Sequence, residues 1–303
     1  MSPSVFVIVL TWNHIQDTVE CLASLARQTY SNIRIVVADN GSTDDTLPVL
    51  RAQYPAVHII ENKKNLGYAQ GNNVGIQYAL AQNADYIFVL NNDTVLANDC
   101  VARLVAGLQQ NPNAAAAPRC YFYDAPTTIY FAGGRMSGWQ TAHRGFNQPD
   151  RAEFDVTCET EWLTGCALMA ARDVWQRVGF FEPRFFLLFE DTDWSLRARR
   201  AGVALCYVAD AKLWHKVSRS FGDTVTPGYA YYYMRNTLLF IERNFSWRQK
   251  RWMYRGALRK AHTQPILSAA ADSPERAAKL HRAISQGIRD YFLRRFGKQT
   301  LRD

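Results

Sequence analysis

The stretch VFVIVLTWNHIQDTVECLASLARQTYSNIRIVVADN (residues 5–40) decides the fold, because it sets two apolar runs on either side of one helical pattern. Residues 5–10 are apolar almost without break, residues 15–27 repeat apolar side chains at helical spacing, and a second apolar run over 33–38 is halted by Asp39. Strands that are apolar throughout and joined by helices form a parallel sheet covered on both faces. The same alternation continues. It predicts a helix over 44–53, a strand over 58–61, a helix over 67–82, a strand over 86–90 and a helix over 98–110. The fold class is therefore α/β. Ligands in such sheets bind outside the carboxyl ends of the strands, so chemistry is expected at residues 11–14, 39–44 and 91–94.

The second half is less regular. From 114 to 156 the pattern breaks into short β-like pieces around Gly133, Gly134, Gly138 and Gly145, and an irregular region is expected there. Order returns with EWLTGCALMAARDVWQRVG (161–179), a strand and a short helix, followed by a helix to about 201, a strand over 203–208 and a helix over 227–243.

Composition bounds the rest. The chain has 303 residues, 48% hydrophobic and 13% aromatic, enough for one large domain with or without an appendage. No run approaches the roughly 18 apolar residues of a membrane-spanning helix. The start MSPSVFVIVLTWNH lacks the basic segment, long apolar run and cleavage site of a signal peptide, so a cytoplasmic protein with reduced thiols is expected. Six scattered cysteines show no CxxC pair and no zinc-type spacing.

The net charge of +8 is uneven: residues 246–303 hold 14 Lys and Arg against 4 Asp and Glu, which leaves the remainder slightly acidic. Without any nucleic-acid-binding motif, this tail points to an anionic membrane surface, met peripherally, rather than to nucleic acid. It reads as amphipathic helix: Ser273 can cap a helix beginning at Pro274, with Leu280, Ile284, Ile288 and Tyr291 on one face and Phe292 and Phe296 beside it. Simple packing of these helices on the rest of the chain is the alternative.

Three places carry candidate chemistry. Asp39, at a strand end, can accept the ring N–H of a uracil or thymine base, or it can simply shape a turn, with Ser42 and Asp44 as helix caps. Asp93 in VLNNDT follows the strand over 86–90; with a neighbouring amide it can hold Mg²⁺ or Mn²⁺ against a diphosphate. Its expected protein partner is His215 in LWHKVS. In FLLFEDTDWSLRARRAG (186–202), Glu190, Asp191 and Asp193 close an apolar run. Three carboxylates there either favour a helix N-terminus or serve solvent, a cation or a reaction.

Taken in order, VIVLTWNH, VVADNGSTDDT, NLGYAQGNNVGI, VLNNDT, WLTGCALMAARDVWQRVGFFEPRFF, EDTDWSLRARRAG, WHKVS and YYYMRNTLLF resemble the motifs of the family 2 glycosyltransferases, most closely their bacterial rhamnosyltransferase-like branch. The similarity runs from about residue 5 to 245. It implies a GT-A fold, a nucleotide-diphosphate sugar donor, a divalent cation and inversion at the anomeric carbon. It makes residues 1–245 the catalytic domain and 246–303 a basic helical extension. Position by position, it implies that Thr11, Asn13, Asp39, Gly67, Asn72 and Asn92 bind the nucleotide, with Asp93 as the last acid of the metal motif and His215 as its partner. Asn91 and Asn92 stand where a first acid often sits. Asp191 becomes the general base and Glu190 the residue that orients the acceptor or tunes that base, while Asp193 is left as a helix-start residue. Trp162, Gly165 and Arg235 fall on the acceptor side. The donor implied first is dTDP-L-rhamnose or a UDP-sugar, and the acceptor a lipid-linked or polysaccharide hydroxyl.

Two other readings are open: a nucleotide-sugar-binding module without turnover, and a nucleotidyltransferase. The second would want a Gly-rich phosphate loop after the first strand, and LTWNHIQDT has no glycine. Sugar, acceptor, linkage and oligomeric state are not encoded in any readable motif.

Overall fold

The structure, a computed structural model, describes residues 2–217 and 225–299, and the side chains of 261–272 lie outside that description. The first half follows the expected alternation: β1 Val5–Thr11, α1 Ile15–Ala26, β2 Ile33–Asp39, α2 Thr46–Gln53, β3 His58–Glu61, α3 Gly67–Ala81, β4 Tyr86–Asn91, β5 Thr94–Leu96 and α4 Cys100–Gln110. The second half comprises β6 Ala114–Phe122, β7 Thr128–Phe131, β8 Gly134–Ser137, β9 Gln140–His143, β10 Gln148–Pro149, β11 Cys158–Glu159, β12 Ala167–Ala171, α5 Arg172–Val178, α6 Glu190–Arg200 and β13 Ala204–His215. Three further helices follow, α7 Pro227–Asn244, α8 Trp247–Asp272 and α9 Pro274–Phe292.

The main sheet runs β10-β7-β6-β12-β4-β1-β2-β3. Its β4-β1-β2-β3 half is parallel, while β12 lies antiparallel between β4 and β6. Residues 5–9 and 86–90 are buried along their whole length, as strands covered on both faces must be. Registers Thr11↔Asp39 and Leu10↔Asn91 bring three of the expected strand ends side by side.

Where the pattern seemed to loosen, one long strand is regular. β6 opens on four buried alanines, Ala114–Ala117, whose small side chains leave a weak periodic signal but let β12 and β13 pair closely beside it. β13 also outruns its expected end at 208. After an irregularity between Val208 and Lys212 it continues to His215, which pairs with Thr94 of β5.

Asp193 is not a solvated helix-start residue. It has no exposed surface, and its carboxylate accepts from Arg197 (2.9 Å), Arg243 (3.0 Å) and the Asn244 amide (2.8 Å), tying α6 to α7. Nor do Ser42 and Asp44 cap α2 in the simple sense; Ser42 Oγ accepts from Asn13 N–H, and Asp44 accepts from His14 and Thr46. In the tail, Ser273 Oγ does accept from the Arg276 N–H, with Pro274 first in α9. Leu280, Ile284 and Tyr291 bury against α7 in a second core that also takes Phe185, Phe189 and Trp139. Phe292, by contrast, is exposed.

Helix α3 lies unusually close to β1. A Cβ on Gly75 would sit 2.3 Å from Ile8 Cγ2, and one on Gly71 would sit 2.6 Å from Leu10 Cδ1. Gly75→Val is therefore expected to lower unfolding free energy by about 1–3 kcal/mol through overpacking, measured by urea denaturation.

Candidate active site

A cavity of about 360 Å³ opens at the carboxyl ends of the strands, walled by Thr11–His14 on one side, Asn91–Asp93 at the floor, and Gly67, Tyr68, Phe186 and Leu187 opposite. A larger one, about 790 Å³, lies among Arg135, Arg144, Arg199 and several glutamates and contains none of the residues singled out from sequence. The strand-end position favours the first as the reaction site.

The wall over residues 12–14 turns back on itself, with positive φ at Asn13 (57°) and His14 (55°). Asn13 holds this turn to the neighbouring strand-end loop: its N–H donates to Ser42 Oγ (2.8 Å) and its Oδ1 accepts from Thr43 N–H (2.9 Å). Thr11 Oγ1 pairs with Thr18 Oγ1 at 2.8 Å, and the Asn92 amide donates to Thr18 at 3.0 Å. Asp39 is 1% exposed, accepts from the Gly41 and Ser42 N–H groups, and does not line the cavity; Asn40 does. Asn72 is also withdrawn. It is fully buried within α3 and does not line the cavity; its amide donates to Tyr68 O at 3.0 Å, while its Oδ1 has no hydrogen-bond partner.

At the floor, Asp93 Oδ1 lies 3.1 Å from His215 Nε2, close enough for an ion pair but not aligned as a hydrogen bond. Burial raises the Asp93 carboxyl, yet the charge of His215 together with the donors around the group outweighs it and leaves it below the usual carboxylate range. Burial likewise lowers the imidazole, while Asp93 and the adjoining Cys166 push it up to about 10. Asn91 Oδ1, Asp93 Oδ1 and His215 Nδ1 are all buried without a hydrogen-bond partner. Of these, Asn91 Oδ1 and Asp93 Oδ1 are acceptors that suit a hard divalent cation completing its shell with phosphate oxygens and water, whereas His215 can become a ligand only by giving up its proton. Among the described residues no three His, Cys, Asp or Glu side chains form a ready-made cage. The donor set fits a cation shared with a substrate rather than one held by protein alone.

Glu190 and Asp191 open α6 nearby. The Asp191 Oδ2 accepts from Gly165 N–H at 2.8 Å, and its Oδ1 accepts from Thr192 N–H at 2.6 Å and Thr192 Oγ1 at 3.1 Å. Burial raises its pKa; the Gly165 and Thr192 donors only partly offset that. Glu190 is 5% exposed with Oε2 unpartnered, and burial and then the Asp191 charge push it well above the usual range. Burial thus disfavours the charged form of both groups, and of Glu190 more strongly.

What aims the pair is a strained turn. Phe186, Leu188 and Phe189 all have positive φ (63°, 72° and 74°), an arrangement that costs on the order of 1–3 kcal/mol per residue unless held from outside. Asn236 holds it: its amide donates to Phe185 O (2.8 Å), Leu187 O (2.7 Å) and Leu188 O (3.0 Å). Arg235, expected at the acceptor, has no exposed surface and donates instead to Arg184 O, Phe185 O and Gly297 O. Its role is to position this turn. Trp162 is corrected likewise: it is 3% exposed and packed against Phe131, His143 and Gly134, behind the site rather than in it. Gly165 stays in the site, because a Cβ there would come within 3.3 Å of Asp191 Oδ2 and 3.4 Å of the Tyr68 hydroxyl.

The sequence profile of glycosyl transferase family 2 matches residues 6–175. The chain belongs to glycosyl transferase family 2. Within this family it is similar to the N-acetylglucosaminyl-diphospho-decaprenol L-rhamnosyltransferase of Mycobacterium tuberculosis, 26% identical with 90% of this chain and 96% of the relative covered. It is also similar to the dTDP-rhamnosyl transferase RfbF of Shigella flexneri, 24% identical over 80% of this chain and 82% of that one. These relatives set it in the rhamnosyltransferase-like branch. The crystal structure of GalNAc-T7 with UDP, GalNAc and Mn²⁺ shares the fold at a TM-score of 0.61 and 15% identity, covering 77% of this chain and 47% of the other. The architecture is GT-A.

In this glycosyltransferase, three residues of the site carry no motif-level signal. Tyr68 donates its hydroxyl to Gly165 O and feels the charges of both acid groups. Phe186 accepts through its carbonyl from Tyr68 N–H and packs where any Cβ on Gly67 would be (2.4 Å). Lys298, from the far end of the chain, lies 5.4 Å over the Trp12 ring at the cavity wall. Only the positive φ of Gly67 (81°), hinted at by NLGY, was open to sequence reasoning.

Asn236→Leu keeps the volume but takes the amide donor from the Leu187 and Leu188 carbonyls, while Phe185 O keeps Arg235. It is expected to lower the melting temperature and to reduce kcat for sugar transfer about 10²-fold, the cost of misplacing a reacting group by about an ångström, read by calorimetry and steady-state kinetics.

Proposed function

We propose that the chain is an inverting, metal-dependent rhamnosyltransferase-type enzyme that moves a sugar from a pyrimidine nucleoside-diphosphate donor to a hydroxyl of a lipid-linked acceptor in cell-surface glycan synthesis. The observation that carries this reading is the pairing of two differently charged acid sites around Gly165 and Cys166: Asp93 held ionised by His215, and the Glu190–Asp191 pair held partly protonated. The two relatives, whose names specify a diphospho-decaprenol acceptor and a dTDP-rhamnosyl donor, supply the substrate class.

In the reaction, Asp191 takes the proton of the acceptor hydroxyl as its oxygen bonds to the anomeric carbon and the bond from that carbon to the diphosphate breaks. General-base assistance of this kind contributes typically about 10²- to 10⁴-fold. Gly165 and Thr192 fix the carboxylate, and its burial keeps its basicity above that of a solvated aspartate. Asn91 and Asp93, joined by His215 once it has given up its proton, would hold the Mg²⁺ or Mn²⁺, which when bound would offset charge on the departing diphosphate. Thr11, Asn13, Gly67 and Asn92 form the nucleotide side, with Asn40 standing at the cavity where Asp39 was expected. Asp39 is left to shape the loop and Asn72 to stabilise α3. Attack opposite the leaving group inverts the centre. Residues 1–245 carry this chemistry, and 246–303 form a basic helical extension that meets the inner face of the plasma membrane. No described helix is long and apolar enough to cross it.

The direct test is titration calorimetry of dTDP-, UDP- and GDP-sugars with and without Mn²⁺. A pyrimidine donor should bind at least about tenfold more tightly with the metal, and Asp93→Ala should abolish that difference while leaving metal-free binding in place. Donors that bind without regard to metal or Asp93 would overturn the site.

The pH dependence follows from the raised acid pair. Because the base works only when deprotonated, kcat/KM should fall as pH drops through a value above the roughly 3.9 of a free aspartate. Removing the hydroxyl that favours the ionised form, in Thr192→Val, should move that acid limb to higher pH, measured on pH–rate profiles of both proteins.

A further inference from the structure

A second cavity, about 250 Å³, lies between α7, α8, α9 and the β8–β9 hairpin, lined chiefly by Trp139, Tyr229, Tyr233, Met234, Ala257 and Ile284. It is a built feature of the fold: Gly256 lets α8 approach Trp139 so closely that a Cβ there would meet the indole at 2.7 Å. Tyr233 of its wall packs on Phe189 at 5.4 Å between ring centroids, and Phe189 is the residue immediately before Glu190. Apolar lining thus runs up to the residue that precedes the acid pair. Tyr233 (39%) and Val225 (40%) are exposed, so the groove opens to solvent.

Its outer helix has a distinct chemistry. Residues 247–260 of α8 carry Arg248, Lys250, Arg251, Arg255, Arg259 and Lys260 and no acid at all. Trp247 (65% exposed) and Trp252 (70% exposed) stand among them, with Trp252 edge-on to Trp139 at 6.3 Å. Exposed tryptophans among cations suit a membrane–water interface, where the ring sits at headgroup depth and the charges meet phosphate. A cavity of this size is too narrow for a peptide helix, which is about 10 Å across, but it admits a flexible hydrocarbon chain.

We propose that this groove binds the hydrocarbon chain of a lipid diphosphate acceptor, with the α8 cations meeting anionic headgroups where the chain enters. The proposal rests on the lipid-linked acceptor reading above. It explains how an enzyme whose described helices do not cross a membrane can draw a sugar hydroxyl from a bilayer to Asp191: the chain enters past Trp252, and Phe189 marks where apolar wall gives way to the reacting carboxylates. Burial of each further methylene should tighten binding up to about fourfold, so affinity should climb with chain length until the groove is filled.

The experiment uses the full chain and two probes with one headgroup, farnesyl diphosphate and dimethylallyl diphosphate, followed by tryptophan fluorescence. Farnesyl diphosphate should bind at least about tenfold more tightly. Ala257→Trp, which fills the groove, should erase that difference while nucleotide-sugar binding and melting temperature are retained. Val225→Arg, at an exposed lining position, should weaken the farnesyl compound and not the short one. Equal binding of the two probes to wild type overturns the proposal, as does discrimination that survives both substitutions. Transfer assays with long- and short-chain acceptors then separate the two readings. Chain-length-dependent binding without transfer to either acceptor leaves the groove standing and removes the lipid acceptor. Transfer with the same kcat/KM for both chain lengths retains the lipid acceptor and removes the groove.

Discussion

The hydrogen bonds from Asn236 to the carbonyls of Phe185, Leu187 and Leu188 are the constraint on which the site depends. They hold a run of left-handed residues that no free chain would keep, and everything on both sides takes its position from that run. Upstream, the Phe186 carbonyl receives the Tyr68 N–H, and its ring packs against the glycine that starts α3, forming one wall of the donor cavity. Downstream, α6 begins with Glu190 and Asp191 already facing Gly165. The Asp193 ion pairs with Arg197 and Arg243 fasten the other end of the same turn of helix to α7. The acid pair is therefore aimed by α7, some fifty residues later in sequence, rather than by its own strand or loop.

The two acid sites divide their work through surroundings rather than residue type. Asp93 and Asp191 are both aspartates at strand or helix ends and both are largely buried. One is held ionised beside His215, and the other is buried next to a second carboxyl, with donors from Gly165 and Thr192 that only partly offset the burial. An ionised carboxylate suits a cation and a raised one suits a proton acceptor. Cys166 borders the imidazole, and its neighbour Gly165 donates to the base, so a single short strand entry serves both.

The parallel half of the sheet was legible because burial on both faces leaves unbroken apolar runs, and the strand ends followed from that. The ordered motifs then pointed to the acids at 93, 190 and 191. What sequence could not carry was long-range geometry. Asp193 looks like any first-turn acid until Arg243 and Asn244 arrive from α7. Arg235 looks like a substrate ligand, yet its donors are spent on carbonyls 50 and 51 residues earlier and 62 later. Trp162 and Asn72 sit in suggestive strings but are buried, and the alanine run of β6 hid a strand because small side chains give little hydropathy contrast. Tyr68 and Lys298 act through contacts that no local pattern announces.

The bond from Arg235 to the Gly297 carbonyl, together with Lys298 over Trp12, has a consequence for how the protein is made. The strained turn and the mouth of the donor cavity are both closed by residues translated long after the sheet. During synthesis the parallel half can pack as soon as it emerges, but the site stays open until position 298 has left the ribosome. The sheet can therefore be complete before the contacts that hold this turn and line this mouth are available.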